Sequence, residues 1–285
     1  MSEYSEILEI ADQLSDMATK CDIKPLEKLM STAHEVGKSW SGSWLGYHSR
    51  VYYRDFQPVP PGARFSIEWG FMDSYFIKET VGDWVEYEFE DVVKTVYKMA
   101  GNPDLNEVME LSTEAKMLFD ESQARILSLL SLALQNHKTD LFLNDITDNI
   151  KEQCILSESN FVHVFAPKGN LRSCDTNAIQ SGIQTPPHIS VIAKVSAIRT
   201  PFTVCDELSK LARRVAFHLE NLERRYRHEE RIGTRVFIGH GRSHVWKELK
   251  DFIQDRLHLP WDEFNRVPAA GLTNTLRLSQ MLDDA

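Results

Sequence analysis

Val204, Leu208, Leu211, Val215, Leu219, Leu222 and Tyr226 are spaced three or four residues apart throughout. On a 3.6-residue period that spacing lines them along one side of a single helix. The pattern predicts a helix from Thr203 to about Arg231, the strongest periodic signal in the chain. Arg224, Arg225, Arg227 and His228 crowd its end, where the helix dipole favours cations. Gly233 stops it. At 285 residues two domains are the better prior, and the boundary is placed here. The helix itself either couples and assembles units or simply packs on its neighbours.

Upstream, residues 1–232 read as a mainly helical domain with a few short strands. Ile7, Leu8, Ala11, Leu14 and Ala18 recur at helical spacing, and Pro25 precedes a second run of Leu26, Leu29 and Met30. The texture then changes. Half of the chain's 28 aromatic residues lie between Trp40 and Phe89. Gly42, Gly46, Pro58, Pro60, Pro61 and Gly62 break that segment too often for a long helix. Residues 40–89 are expected to form short strands or irregular turns packed by rings. The rings make either a compact core or a cage for a base or cation. Helix is expected again at Glu90–Ala100. Another is expected from an Asn102–Pro103 start to about Asn136, with one break, and a third over Asp140–Cys154. The alternating, β-branched segments Phe161–Phe165 and Ile189–Ala197 read as strands.

Charge divides along the same line. Residues 1–160 carry a net −14 and residues 161–285 a net +4. The acidic half is unsuited to nucleic acid, because phosphate contacts need clustered cations. The basic half either suits a phosphate-bearing small ligand or only offsets the first. No apolar run approaches the roughly 20 residues that a bilayer requires, so no membrane span is expected. The N-terminus is acidic without a secretory pattern, and Cys21, Cys154, Cys174 and Cys205 are scattered. Reduced thiols and a cytoplasmic location are expected.

After Gly233 the pattern is that of a parallel α/β sheet. Arg235–Gly239 reads as a short strand, and His240, Gly241, Arg242 and Ser243 as a tight turn. Trp246, Leu249, Phe252, Ile253 and Leu257 read as the buried face of a helix. A second unit follows, with strand Trp261–Val267, loop Pro268–Thr273 and a helix to Ala285. In open α/β sheets nucleotides bind above such strand–turn–helix junctions. Gly239-x-Gly241 is only half of a dinucleotide fingerprint, since His244 replaces its third glycine. The turn alone is therefore compatible with a plain structural turn. His240 and His244 lack a third ligand, so no metal is expected. Gly-His-Gly-Arg-Ser is not a nucleophile elbow. Glu263 beside Trp261 and Phe264 reads as an exposed position rather than a catalytic acid.

The ordered pair Arg235-Val-Phe-Ile-Gly-His-Gly-Arg-Ser243 and Trp261-Asp-Glu-Phe-Asn-Arg-Val-Pro-Ala-Ala-Gly-Leu-Thr-Asn-Thr-Leu-Arg-Leu278 resembles the prokaryotic TIR-like nucleotide-binding domains. These occur in antiphage effectors such as the CD-NTase-associated and Pycsar TIR proteins. The resemblance covers residues 234–285 only. It implies the start of a flavodoxin-like fold, NAD+ as substrate rather than cofactor, and hydrolysis of the bond to nicotinamide. It also implies activation through homo-oligomers of TIR domains. Gly239, His240, Gly241, Arg242 and Ser243 match the first loop of the family's nucleotide pocket. Pro268, Gly271 and Thr273 match the loop after the second strand. The family's catalytic glutamate follows a third strand, so no residue of this chain corresponds to it.

The expected fold class is therefore α+β: a mainly helical N-terminal domain followed by the beginning of a flavodoxin-like parallel sheet. Two parallel strands leave an open edge and an uncovered face. The expectation is a chain cut short ahead of its third strand; completion by upstream strands or by another chain is the other solution. The expected function is that of an antiviral-defence effector that binds NAD+ and cleaves it when complete, with nucleosidase activity absent from this chain. The competing class is a non-catalytic nucleotide-binding or protein-interaction module acting as a sensor. Arg242 either reaches a phosphate or stands solvated at the helix start.

Overall fold

The computed structural model describes residues 3–72, 79–231, 236–239 and 244–262. The chain divides into two compact units, Ser5–Arg213 and a second comprising Met1–Tyr4 with Arg214–Ala285. Most described residues are helical, with one small antiparallel sheet in the larger unit, so the fold class is α+β.

Two amphipathic helices, α1 (Glu3–Lys20) and α2 (Lys24–Gly37), open the chain, with Pro25 in the first turn of α2. They bury Ile7, Ile10, Ala11 and Leu14 from α1, and Leu26, Leu29, Ala33 and Val36 from α2. The aromatic block then runs as turns and short strands. A 3-10 turn at Gly46–Arg50 leads into β1 (Val51–Tyr53), which pairs antiparallel with β2 (Trp84–Glu86) through Val51↔Glu86 and Tyr53↔Trp84.

Helix α3 (Phe89–Met99) buries Val92 and Val96. Asn102 was expected to start the next helix but instead closes this one. Its φ of 48° lies in the left-handed region and its N–H donates to Tyr97 O at 2.8 Å, the left-handed cap that asparagine tolerates after glycine. Helix α4 (Asn106–Asn136) begins later and runs unbroken for 31 residues. The expected break is absent because no Gly or Pro interrupts it, and its buried residues Val108, Ser112, Ala115, Phe119, Ser122, Ile126, Leu130 and Ala133 keep one face throughout. Helix α5 (Leu141–Glu152) starts where Asp140 accepts from the Leu143 N–H at 3.1 Å.

Both strands expected between residues 160 and 200 are helices. Phe161–Phe165 lies in α6 (Glu158–Phe165), which a reciprocal capping box between Ser157 and Asn160 initiates. Five alternating residues fit either period, and the cap decides between them. After the short helix α7 (Thr176–Gln180), Ile189–Ala197 falls inside α8, which runs 45 residues from Pro187 to Arg231 with Pro201 in its interior. Val191, Val195, Ile198 and Phe202 are buried at helical spacing. The Ser112 Oγ donates to Ile198 O at 2.8 Å, and the Ser209 Oγ donates to Ala11 O at 2.8 Å. Packing on α4 and α1 thus overrides the β-preference of the branched side chains. The stripe expected from Thr203 onward stays buried through Val204, Leu208, Val215 and Leu219, whereas Tyr226 is exposed.

In the second unit β3 (Val236–Phe237) pairs in parallel with β4 (Trp261–Asp262), in register Val236↔Trp261 and Phe237↔Asp262. Between them lie α9 (Trp246–Asp251) and a π-turn at Phe252–Arg256. Of the five residues expected to form a buried face, Ile253 is buried while Leu249, Phe252 and Leu257 are exposed.

Candidate functional site

Among the residues singled out from the sequence for nucleotide binding, Gly239 lies within the described structure. It stands two residues after β3 and is exposed. A Cβ built there meets Phe237 Cε1 at 3.7 Å, an ordinary contact, and the backbone has no positive φ. Neighbouring side chains therefore do not dictate glycine at this position. His240, Gly241, Arg242, Ser243, Glu263, Pro268, Gly271 and Thr273 lie outside the described residues. No group of three or more His, Cys, Asp or Glu side chains suited to a metal occurs among the described residues.

The concentration of interacting polar side chains lies instead in the larger unit, under the aromatic block. The 3-10 turn at Gly46–Arg50 carries Tyr47 and His48, and Asp175 caps α7 from the far side of the sequence. Asp175 Oδ1 accepts from the N–H groups of Asn177 and Ala178 at 3.0 and 3.3 Å. Oδ2 accepts the Tyr47 hydroxyl, and it faces His48 Nε2 at 3.1 Å. A carboxylate can only accept, so His48 carries its proton on Nε2. Its Nδ1 then accepts from the Ser43 hydroxyl at 3.3 Å, and Ser43 Oγ itself accepts from the Leu45 N–H. Every member has a partner, as a buried polar network requires.

The electrostatics follow from burial. Desolvation pushes the Asp175 carboxyl up, but donation from Tyr47, His48 and the Ala178 N–H outweighs it and leaves the group below its ordinary value. Desolvation is the larger influence on His48, which is held below its ordinary value despite the nearby carboxylate. Burial, reinforced by Asp175, raises the Tyr47 phenol. The consistent state is one buried anion surrounded by four donors, with a neutral imidazole. A second buried pair lies alongside: the Tyr52 hydroxyl and His188 Nδ1 are 2.8 Å apart. Burial, with the charge of His34, pushes His188 down to about 3, so the hydroxyl is the donor.

Ser43, His48 and Asp175 present the residue types of a hydrolytic triad, but the geometry does not. The three are 3%, 0% and 0% exposed, and a nucleophile must be reachable by substrate. Gly70 closes the site from above. Its φ is +58°, and a Cβ there would lie 2.6 Å from His48 Nε2 and closer than 3 Å to the Tyr47 hydroxyl and Asp175 Oδ2. Phe71 stacks on Tyr47 with centroids 6.0 Å apart, and Phe65 meets His48 edge-on at 5.0 Å. The block is thus a packed aromatic and polar core, with Trp44, Tyr52 and Phe65 buried. Of the two roles open to these rings, the compact core describes their arrangement.

Sequence reasoning overlooked this network. Its partners are 127 and 128 residues apart, and the one local signal was Asp175 ahead of Thr-Asn-Ala, a plausible N-cap. The chain matches no protein-family model, no curated protein and no solved structure.

Proposed function

We propose that the segment beginning near residue 234 belongs to a TIR-like unit that binds NAD+, and that residues 1–232 regulate it within an antiphage-type effector. The observation that carries this reading is the parallel register of β3 with β4 across an intervening helical segment. Antiparallel pairing would have been incompatible with it. Parallel strands joined by a helical crossover form the repeating element of nucleotide-binding α/β sheets. Such sheets bind ligand beyond the carboxyl ends of their strands, and Gly239 follows the carboxyl end of β3.

In this reading the loop Gly239–Ser243 cradles the pyrophosphate, with Arg242 as the cation for phosphate oxygens. Pro268, Gly271 and Thr273 border the same pocket. Loss of nicotinamide passes through an oxocarbenium-like transition state, which a carboxylate stabilises. No residue of this chain is assigned that role. Homo-oligomerisation in a cytoplasmic setting accompanies cleavage in this reading.

Titration calorimetry of the chain with NAD+ tests the proposal. Binding is expected, and Arg242→Ala should weaken it roughly ten- to a hundredfold, the worth of a charge-assisted hydrogen bond. Absence of NAD+ binding would refute the assignment. Release of nicotinamide by the unmodified chain would show that the catalytic carboxylate lies within residues 1–285.

A further inference from the structure

We infer that residues 173–184 form a strap that opens as a unit from the larger domain, with the Asp175 carboxylate as its latch. The segment contains α7, only five residues long and far too short to hold itself together. Of its side chains only Asp175 and Ala178 are buried; Thr176, Asn177, Ile179, Gln180, Ser181, Ile183 and Gln184 are exposed. The strap therefore gains almost nothing from apolar burial. What holds it is polar and confined to a few points. The Cys174 N–H donates to Glu68 O at 2.8 Å, the Gly46 N–H to Gly182 O at 2.7 Å, and the Gln184 N–H to Trp44 O at 2.7 Å. The Ser173 Oγ donates to Glu68 O at 2.9 Å. Ser173 Oγ also donates to Ile67 O and Cys174 Sγ to Glu68 Oε1, and Asp175 adds the attachment to Tyr47 and His48.

Segments with few buried apolar contacts and largely exposed backbone bonds open locally at less cost than the global transition. Two features favour opening as a unit here. The exposed Gly169, at φ +127° with no atom within 4 Å of a built Cβ, offers an upstream pivot, while Pro186 and Pro187 fix the downstream end at the start of α8. Lifting the strap also carries Asp175 away with its own capped turn. Tyr47 and His48 are then left facing water rather than as buried orphans, so the open state avoids the penalty of unsatisfied polar groups. Opening uncovers the Tyr47–His48 edge and the Trp44–Leu45 backbone.

Native-state hydrogen exchange on the whole chain tests this. The amides of Cys174, Gln184 and, across the contact, Gly46 should exchange as one group. They should exchange at least about a hundredfold faster than buried amides of α1 and α4 such as Leu14 and Phe119. Equal protection for the two sets would overturn the strap. Asp175→Asn should speed the first group by roughly ten- to a hundredfold more and leave the second unchanged. Gly46→Ala, whose Cβ would lie 2.7 Å from Ala178 O and 2.8 Å from Ser181 Cβ, should act in the same direction from the opposite side. If both substitutions leave the group unchanged, or accelerate α4 equally, Asp175 is no latch. If Asp175→Asn does not fold, the unmodified chain and Gly46→Ala still decide the question.

Discussion

Gly70→Ala is the substitution that most directly tests how the buried network is sealed. Gly70 has φ +58°, and an alanine methyl would stand among Tyr47, His48 and Asp175. Three costs combine. Placing an L-residue in the left-handed region costs about 1–2 kcal/mol. Forcing a methyl into filled space costs roughly 1–3 kcal/mol. Displacing one charge-assisted hydrogen bond to Asp175 costs about 1.5–3 kcal/mol. The last two overlap, because the same displacement relieves the clash, so a total of about 3–6 kcal/mol is expected. Gly62→Ala provides the control: its φ is +87° and a built Cβ meets nothing within 4 Å. It should lose only the backbone term, about 1–2 kcal/mol. The measurement is urea unfolding followed by tryptophan fluorescence. Four of the six tryptophans (Trp40, Trp44, Trp69 and Trp84) lie in the block, so the signal reports the unit that contains Gly70. The midpoint should fall further for Gly70→Ala than for Gly62→Ala, at similar slope, by an amount worth roughly 2–4 kcal/mol. Equal shifts would mean that the space above Asp175 is open and the sealed network is wrong.

Acid should weaken the larger unit through His188. Its pKa in the fold lies near 3 against about 6.5 when unfolded, so the unfolded chain binds the extra proton between those values and stability falls as pH drops below about 6.5. One such proton is worth about 1.4 kcal/mol per pH unit, which predicts a loss of about 2 kcal/mol between pH 7 and pH 5. His48, shifted in the same direction, adds to it. His188→Gln should remove one proton's share of that slope, and an unchanged slope would show that His188 is not buried neutral. Thiol labelling in native buffer should modify the exposed Cys154 and Cys174. It should spare Cys205, which is buried, donates to Ala115 O and is pushed up to about 12 by burial. Rapid native labelling of Cys205 would contradict the packing of α8 on α4.

Elements whose signal is local and repeated were legible from the residues alone. Helices α1 to α5 and the second half of α8 carry apolar faces long enough to average out single exceptions. The order strand, helix, strand over Val236–Asp262 was readable from short apolar runs on either side of a helical one, although Leu249, Phe252 and Leu257 of the expected buried face are exposed. So was the irregular, ring-packed character of residues 40–89, because glycine and proline act on the backbone wherever they stand. The segments Phe161–Phe165 and Ile189–Ala197 were misread. Short β-branched runs satisfy both periods, and only the Ser157 cap and the contacts with α4 select helix there. Asn102 ends α3 rather than starting α4, a choice made by its left-handed backbone. The network of Ser43, Tyr47, His48 and Asp175 had no signature in the sequence beyond the N-cap pattern at Asp175. Hydrogen bonds form between groups that the fold brings within 3 Å, and a separation of more than 120 residues leaves no periodic trace. Sequence pattern thus set the long amphipathic helices. Tertiary packing alone decided which polar groups are buried together and which short segment holds them closed.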